Sequence, residues 1–162
     1  MTLPSVDWQG KPYPLKSILM LNEDVHNALI SVVKDLTPEQ LNFSRPEIPN
    51  RTIAQMINHI LDAQHRFFLK ELIFKEKEAE PKFEPAKNIN ELLQRIEKYY
   101  QNIVNLYQKI NPADFGKVIE TSWGQKLSIE LAAFQGITHT YYHVSEICFM
   151  CGLGGFYNKA LG

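Results

Sequence analysis

The run Gln135-Gly136-Ile137-Thr138-His139-Thr140-Tyr141-Tyr142-His143-Val144-Ser145-Glu146 decides how the chain is read. Its apolar positions Ile137, Tyr141 and Val144 recur at three- and four-residue intervals, the period of a helix stripe. The stripe extends outward through Leu131, Phe134 and Ile147, so one helix is predicted from Ser128, a good N-cap, to about Cys151. Within it His139 and His143 stand four residues apart. Four residues advance about 400°, leaving the two imidazoles about 40° apart on one face and one turn above each other. That is the spacing of two ligands to one cation.

The same period recurs three times upstream. Ile18, Leu21, Val25, Leu29, Val32 and Leu36 predict a first helix from about Leu15 to Leu36, ended by Thr37-Pro38. A loop punctuated by Pro46 and Pro49 leads to a second helix, which starts near Arg51 or Thr52 and turns Ile53, Met56, Ile57, Ile60, Phe67 and Leu72 inward. It runs to about Phe74, and a solvated charged connector, Lys75 to Pro81, follows. A third helix spans about Ile89 to Ile110, with Asn88 or Asn90 as N-cap and Asn111-Pro112 as its end. Between it and the last helix, β-formers surround Gly124 in the stretch Val118 to Ser128, predicting a short hairpin across one end of the assembly. Residues 1–14, with Pro4, Gly10, Pro12 and Pro14, form an irregular arm that Trp8 and Tyr13 pin in place. Four long helices and one hairpin make a mainly α fold, a four-helix bundle with a β-hairpin between helices three and four, in a single domain over 1–162.

Composition narrows the function. The 162 residues, 44% of them hydrophobic, suffice for one core and not two. A net charge of -1 supplies no positive field for a polyanion, so nucleic acid is not an expected partner. No apolar run approaches membrane-spanning length, and Met1 to Trp8 lacks the basic-then-apolar pattern of a secretory signal; a soluble, cytoplasmic protein without a membrane partner is expected. Cys148 and Cys151 form a Cys-x-x-Cys. A thioredoxin-type pair opens a helix after a strand, whereas this one closes a helix ahead of Gly152 and Gly154, and no second Cys/His pair completes a zinc knuckle. Two reduced, partly buried thiols are expected.

On a helical wheel centred on His139, the residues Gln135, Tyr142, His143, Glu146 and Met150 lie within about 60°. A polar strip on a buried helix needs partners, because an unpaired buried polar group costs about 1–3 kcal/mol. A divalent cation would satisfy several at once; hydrogen bonding of the histidines within the core is the plainer alternative. His59, flanked by Ile57, Ile60 and Leu61, has an apolar background that argues against a solvent-facing place. It completes a three-histidine set if its helix neighbours the last one. His65 falls about 120° off that face, and His26 reads as an ordinary polar position. Neutral imidazoles suit Zn, Ni, Cu or Fe, and three protein ligands leave positions for water or substrate. Tyr142 and Glu146, a turn along, are the candidate catalytic groups for moving protons or orienting substrate; a core-edge tyrosine and an ion-pairing carboxylate are the plainer readings.

Met56-Ile57-Asn58-His59-Ile60-Leu61-Asp62-Ala63-Gln64 together with Gly136 to Ile147 resembles the DinB/YfiT-like superfamily of small metal-binding bundles, distinct from the DNA polymerase that shares the name. The turn Leu36-Thr37-Pro38-Glu39-Gln40-Leu41, the glycine hairpin at Trp123-Gly124 and the closing helix occur in the family's order, and only the arm and the tail after Gly152 fall outside it. The resemblance implies a four-helix bundle, usually dimeric, that binds Zn or Ni through one histidine of the second helix and a His-x-x-x-His of the fourth. Those positions match His59, His139 and His143. The family includes S-transferases dependent on low-molecular-weight thiols such as bacillithiol or mycothiol, and hydrolases. A metal-dependent thiol S-transferase acting on a small-molecule substrate, working as a homodimer, is therefore the leading expectation. A metal-dependent hydrolase is the alternative. A non-catalytic stress-response or small-molecule-binding bundle is the third, and would close the metal with a fourth protein ligand such as Glu146 or Asp62.

Overall fold

The computed structural model describes residues 3, 4, 6, 9–47, 51–86 and 88–156. Helix α1 (Leu15–Val33) is followed by the short α2 (Pro38–Leu41), then α3 (Ile53–Asp62), which continues without a break as a π-helix over Ala63–Ile73. Next come α4 (Ile89–Lys109), a 3-10 turn (Pro112–Asp114), strands β1 (Val118–Glu120) and β2 (Lys126–Ser128), and α5 (Ile129–Leu153). The helix starts are chemically marked. Thr37 and Thr52 each form a capping box with a glutamine three residues on, Gln40 and Gln55, while Asn88 and Ser128 accept from the backbone N–H of Glu91 and Leu131. Of the two asparagines expected to open α4, Asn88 does so.

Around the bundle the order is α1, α4, the α3/π helix and α5, so α5 lies between α1 and the helix that carries His59. Ile18, Leu19, Leu29, Ile57, Ile60 and Ile96 are fully buried at its centre. Each contributes about 1.5–3 kcal/mol relative to exposure. The strands pair antiparallel as Val118 with Ser128, Ile119 with Leu127 and Glu120 with Lys126, and Gly124 takes the left-handed φ of +81° at the turn. No helix among the described residues is long and apolar enough to cross a membrane.

Three expectations are corrected. The first helix ends at Val33 rather than Leu36, although Leu36 is still buried beyond it. The second helix changes type after Asp62. In the π segment backbone bonds span five residues, as from Phe74 N–H to Leu69 O at 2.9 Å, so each residue turns the chain by less than about 100°. Eight residues after Ile60, not seven, return to the same face, and Phe68 is buried where the α period places Phe67. In the arm, Trp8 lies outside the described residues and Tyr13 is not packed down. Its ring is 72% exposed while its hydroxyl donates to Glu130 Oε1 at 2.6 Å, and the buried anchor is Leu3.

Cys148 and Cys151 carry free thiols at the end of α5. Burial pushes both pKa values up, that of Cys151 to about 11, which makes them poor nucleophiles at neutral pH.

Candidate metal centre

The α5 stripe that buries Ile137, Val144 and Ile147 turns the neighbouring face, with His139 and His143, toward α3. There His59 meets them. One ring nitrogen from each of the three histidines falls within 4.8 Å of the others, and the His59 ring centroid lies 5.2 Å from that of His139 and 4.9 Å from that of His143. His139 Nε2 and His143 Nε2 are 3.2 Å apart. Two nitrogens on one ion, each bound at about 2.0–2.1 Å, stand slightly more than 3 Å apart. The α5 pair therefore already has ligand separation. His143 is buried, His139 half-buried and His59 exposed. The apolar neighbours of His59 in sequence thus did not carry it inside; they face the core while it faces solvent.

The tautomers follow from the partners. His143 Nδ1 lies 3.0 Å from Glu146 Oε2, one turn further along α5, so its proton sits on Nδ1 and its Nε2 lone pair faces the shared space. Arg51 Nη2, 3.4 Å from the same Nδ1, is then a neighbouring donor rather than a hydrogen-bond partner. The other oxygen of Glu146 lies 3.4 Å from Arg45 Nη2 and 3.9 Å from Arg51 Nη1. His139 Nδ1 is buried with no partner among the described residues, which fits an Nε2 proton directed at His143. Burial, then the neighbouring imidazoles, lowers the pKa of His139 to about 4, and burial followed by His143 lowers that of His59. Both are neutral near pH 7, the form that ligates.

A wall of aromatic and small residues shapes the approach. The Phe68 ring lies 5.5 Å from His139, and Gly136, one turn below His139, lets it come that close: a Cβ at Gly136 would sit 3.1 Å from Phe68 Cβ. Beneath, Gln64 Nε2 donates to Asn22 Oδ1 at 2.7 Å and to Tyr107 Oη at 3.2 Å, and accepts from the Thr140 hydroxyl at 3.1 Å. Gln64 thus ties α1, α4 and α5 together beside His139.

The sequence-predicted residues are distributed unevenly. His59, His139 and His143 converge; Glu146 stands behind His143 rather than in the shared space; Tyr142 is 67% exposed, with its ring 5.1 Å from that of His143. Asp62 is clamped by Arg66, whose Nε and Nη2 donate to its two oxygens at 2.8 and 2.7 Å. Arg45, Arg51, Phe68 and Gln64 were not singled out. The arginines reach the site from a loop more than 90 residues away in sequence, a contact that no local pattern carries.

A search of curated proteins returns no match. The family model described as DinB superfamily matches residues 21–147, a stretch that contains all three histidines, the π-helix and the hairpin. The chain therefore belongs to the DinB superfamily.

Proposed function

We propose that His59, His139 and His143 hold one divalent transition ion, Zn or Ni, and that the protein is a metal-dependent enzyme of the thiol S-transferase type acting on small molecules. The observation that carries this reading is the convergence of one nitrogen from each of three imidazoles within 4.8 Å, with His59 exposed to solvent. When bound, such an ion lowers the pKa of a thiol or water and so supplies a nucleophile at neutral pH. Glu146 holds the His143 ring in orientation through Nδ1, a positioning role. Glu146 faces away from the shared space and Asp62 is engaged by Arg66, which supports a site with open positions over one closed by a fourth protein ligand. Arg45 and Arg51 bring positive charge to the rim, suited to an anionic group on the incoming thiol or its acceptor. Tyr142, exposed beside His143, is placed to meet substrate. We also read the protein as a cytoplasmic homodimer, with the exposed Phe149 and Leu153 of α5 as supporting apolar surface.

Two measurements test the reading. Elemental analysis of the purified protein is expected to give about one ion per chain, falling to near zero in His139→Ala. Metal-loaded protein should consume a low-molecular-weight thiol in the presence of an electrophile, and metal-stripped protein should not. Equal consumption by both overturns the transferase, and hydrolysis without any thiol assigns the hydrolase instead.

A further inference from the structure

The end of the π-helix meets the hairpin beside Phe67 and Trp123. A cavity of about 360 Å³ opens there, large enough for a small organic molecule. Phe67 and Trp123 line it as a stacked pair, with ring centroids 5.7 Å apart and planes 21° from parallel, and Leu72 adds a third apolar wall. Trp123 is 52% exposed, yet its indole N–H donates to Gln125 Oε1 at 3.1 Å, so the ring is held in place with a face left to the cavity. Such a preset aromatic face takes a flat apolar group.

The charges around it are unbalanced. Glu71 is neutralised by Arg66 at 2.6 Å, which leaves Lys75 and Lys77 against the one carboxylate of Glu120, an excess of positive charge in the lining. Lys77 has no partner among the described residues, and Lys75 uses one of its three donors on Glu120 O at 3.2 Å.

Lys75 is also held in an unusual backbone. Its φ is +59° in the turn that ends the π-helix, where Glu76 N–H closes back onto Lys70 O at 2.8 Å. Glycine is the residue that suits this place, and a lysine there is strained. Strain retained at a cavity wall points to a use for the side chain.

We propose that this cavity binds a planar, apolar small molecule carrying a negative charge, with its flat part on Trp123 and its anionic group between Lys75 and Lys77. Ring contacts run from Trp123 through Phe67 and Phe68 to His139, but the proposal does not depend on the histidines holding a metal.

Calorimetric titration with naphthalene-1-sulfonate and with its uncharged analogue naphthalene-1-methanol tests it. Saturable binding of the sulfonate is expected, weakened about tenfold or more by Trp123→Ala. Lys77→Glu, on the exposed connector and without consequence for folding, should weaken the sulfonate about fivefold or more and leave the alcohol within about twofold. Lys75→Gly should raise Tm while weakening the sulfonate, which a merely structural lysine would not do. Metal-stripped protein should bind the probe as well as loaded protein. Absence of binding, equal affinity for sulfonate and alcohol, no effect of Lys77→Glu, or loss of binding on metal removal overturns the proposal.

Discussion

His26 and His139 have similar basicity and opposite surroundings. Burial lowers each pKa to about 4. His26 lies at the centre of the bundle with no exposed surface, its Nδ1 donating to Asn22 O at 2.8 Å and its ring 5.3 Å from Tyr100. It belongs to an enclosed polar group whose hub, Gln64, bonds to Asn22, Tyr107 and Thr140. His139 faces two further imidazoles, one of them exposed, with its Nε2 3.2 Å from that of His143. A depressed pKa is therefore common to an interior residue and a candidate ligand. What separates them is whether the ring meets other imidazoles: His26 Nε2 has no partner among the described residues, whereas His139 converges with His59 and His143.

If that separation holds, changes in the enclosed group alter stability without altering metal, and changes at the three histidines do the reverse. The largest stability effect is expected from pH. His26 takes a proton near pH 6.5 in the unfolded chain but only near 4 when folded. Its stabilisation is thus complete above about pH 6.5 and falls by about 3 kcal/mol as pH drops toward 4. Urea unfolding across that range should show this slope added to the contributions of His139 and His59, whose pKa values are also lowered, and His26→Leu should remove its share; an unchanged slope would sink the assignment. Next, Gln64→Leu should cost about 1–3 kcal/mol by stranding Asn22 Oδ1, while Thr140 keeps its bond to Gly136 O, with metal content unchanged. Coupled loss of metal would show that the two regions are one.

At the three histidines, Glu146→Gln should weaken metal affinity about 10- to 100-fold, read by competition with a chelating dye, while thermal unfolding of metal-free protein barely moves. The smallest effect is expected from Gly136→Ala. The added methyl must push Phe68 back by a few tenths of an ångström, at a cost of about 1 kcal/mol, with the His139 resonances shifting in NMR spectra of the folded protein.

Periodicity made most of the fold legible. The helices α1, α4 and α5, the caps Asn88 and Ser128, and the turn at Gly124 are local signals that appear where local chemistry sets them, although Leu21 and Leu131, read as part of the α1 and α5 stripes, lie at their exposed edges. His139 and His143 were legible for the same reason: one helix fixes their spacing. The π segment was not, because apolar residues at intervals of three, four and five overlap too much in a short run for the wider turn to announce itself. That is why Phe67 was turned inward and Phe68 missed. His26 and Gln64 were opaque on different grounds. Gln64 is carried inside because partners from other helices await it, and those lie 42 residues or more away along the chain; His26 bonds only to Asn22 O, one turn back in its own helix, and its burial follows from packing, as against Tyr100.

The π-helix begins after His59 and ends before Lys75. The wider turn takes up what an α-helix would carry as a rotation of about 100° per added residue. Deleting one residue within it while tightening the winding toward α leaves the residues beyond on the face they now hold, because seven residues after Ile60 then return where eight do now. Insertions and deletions, usually ruinous inside a helix, can be absorbed here in the winding, with the three histidines untouched.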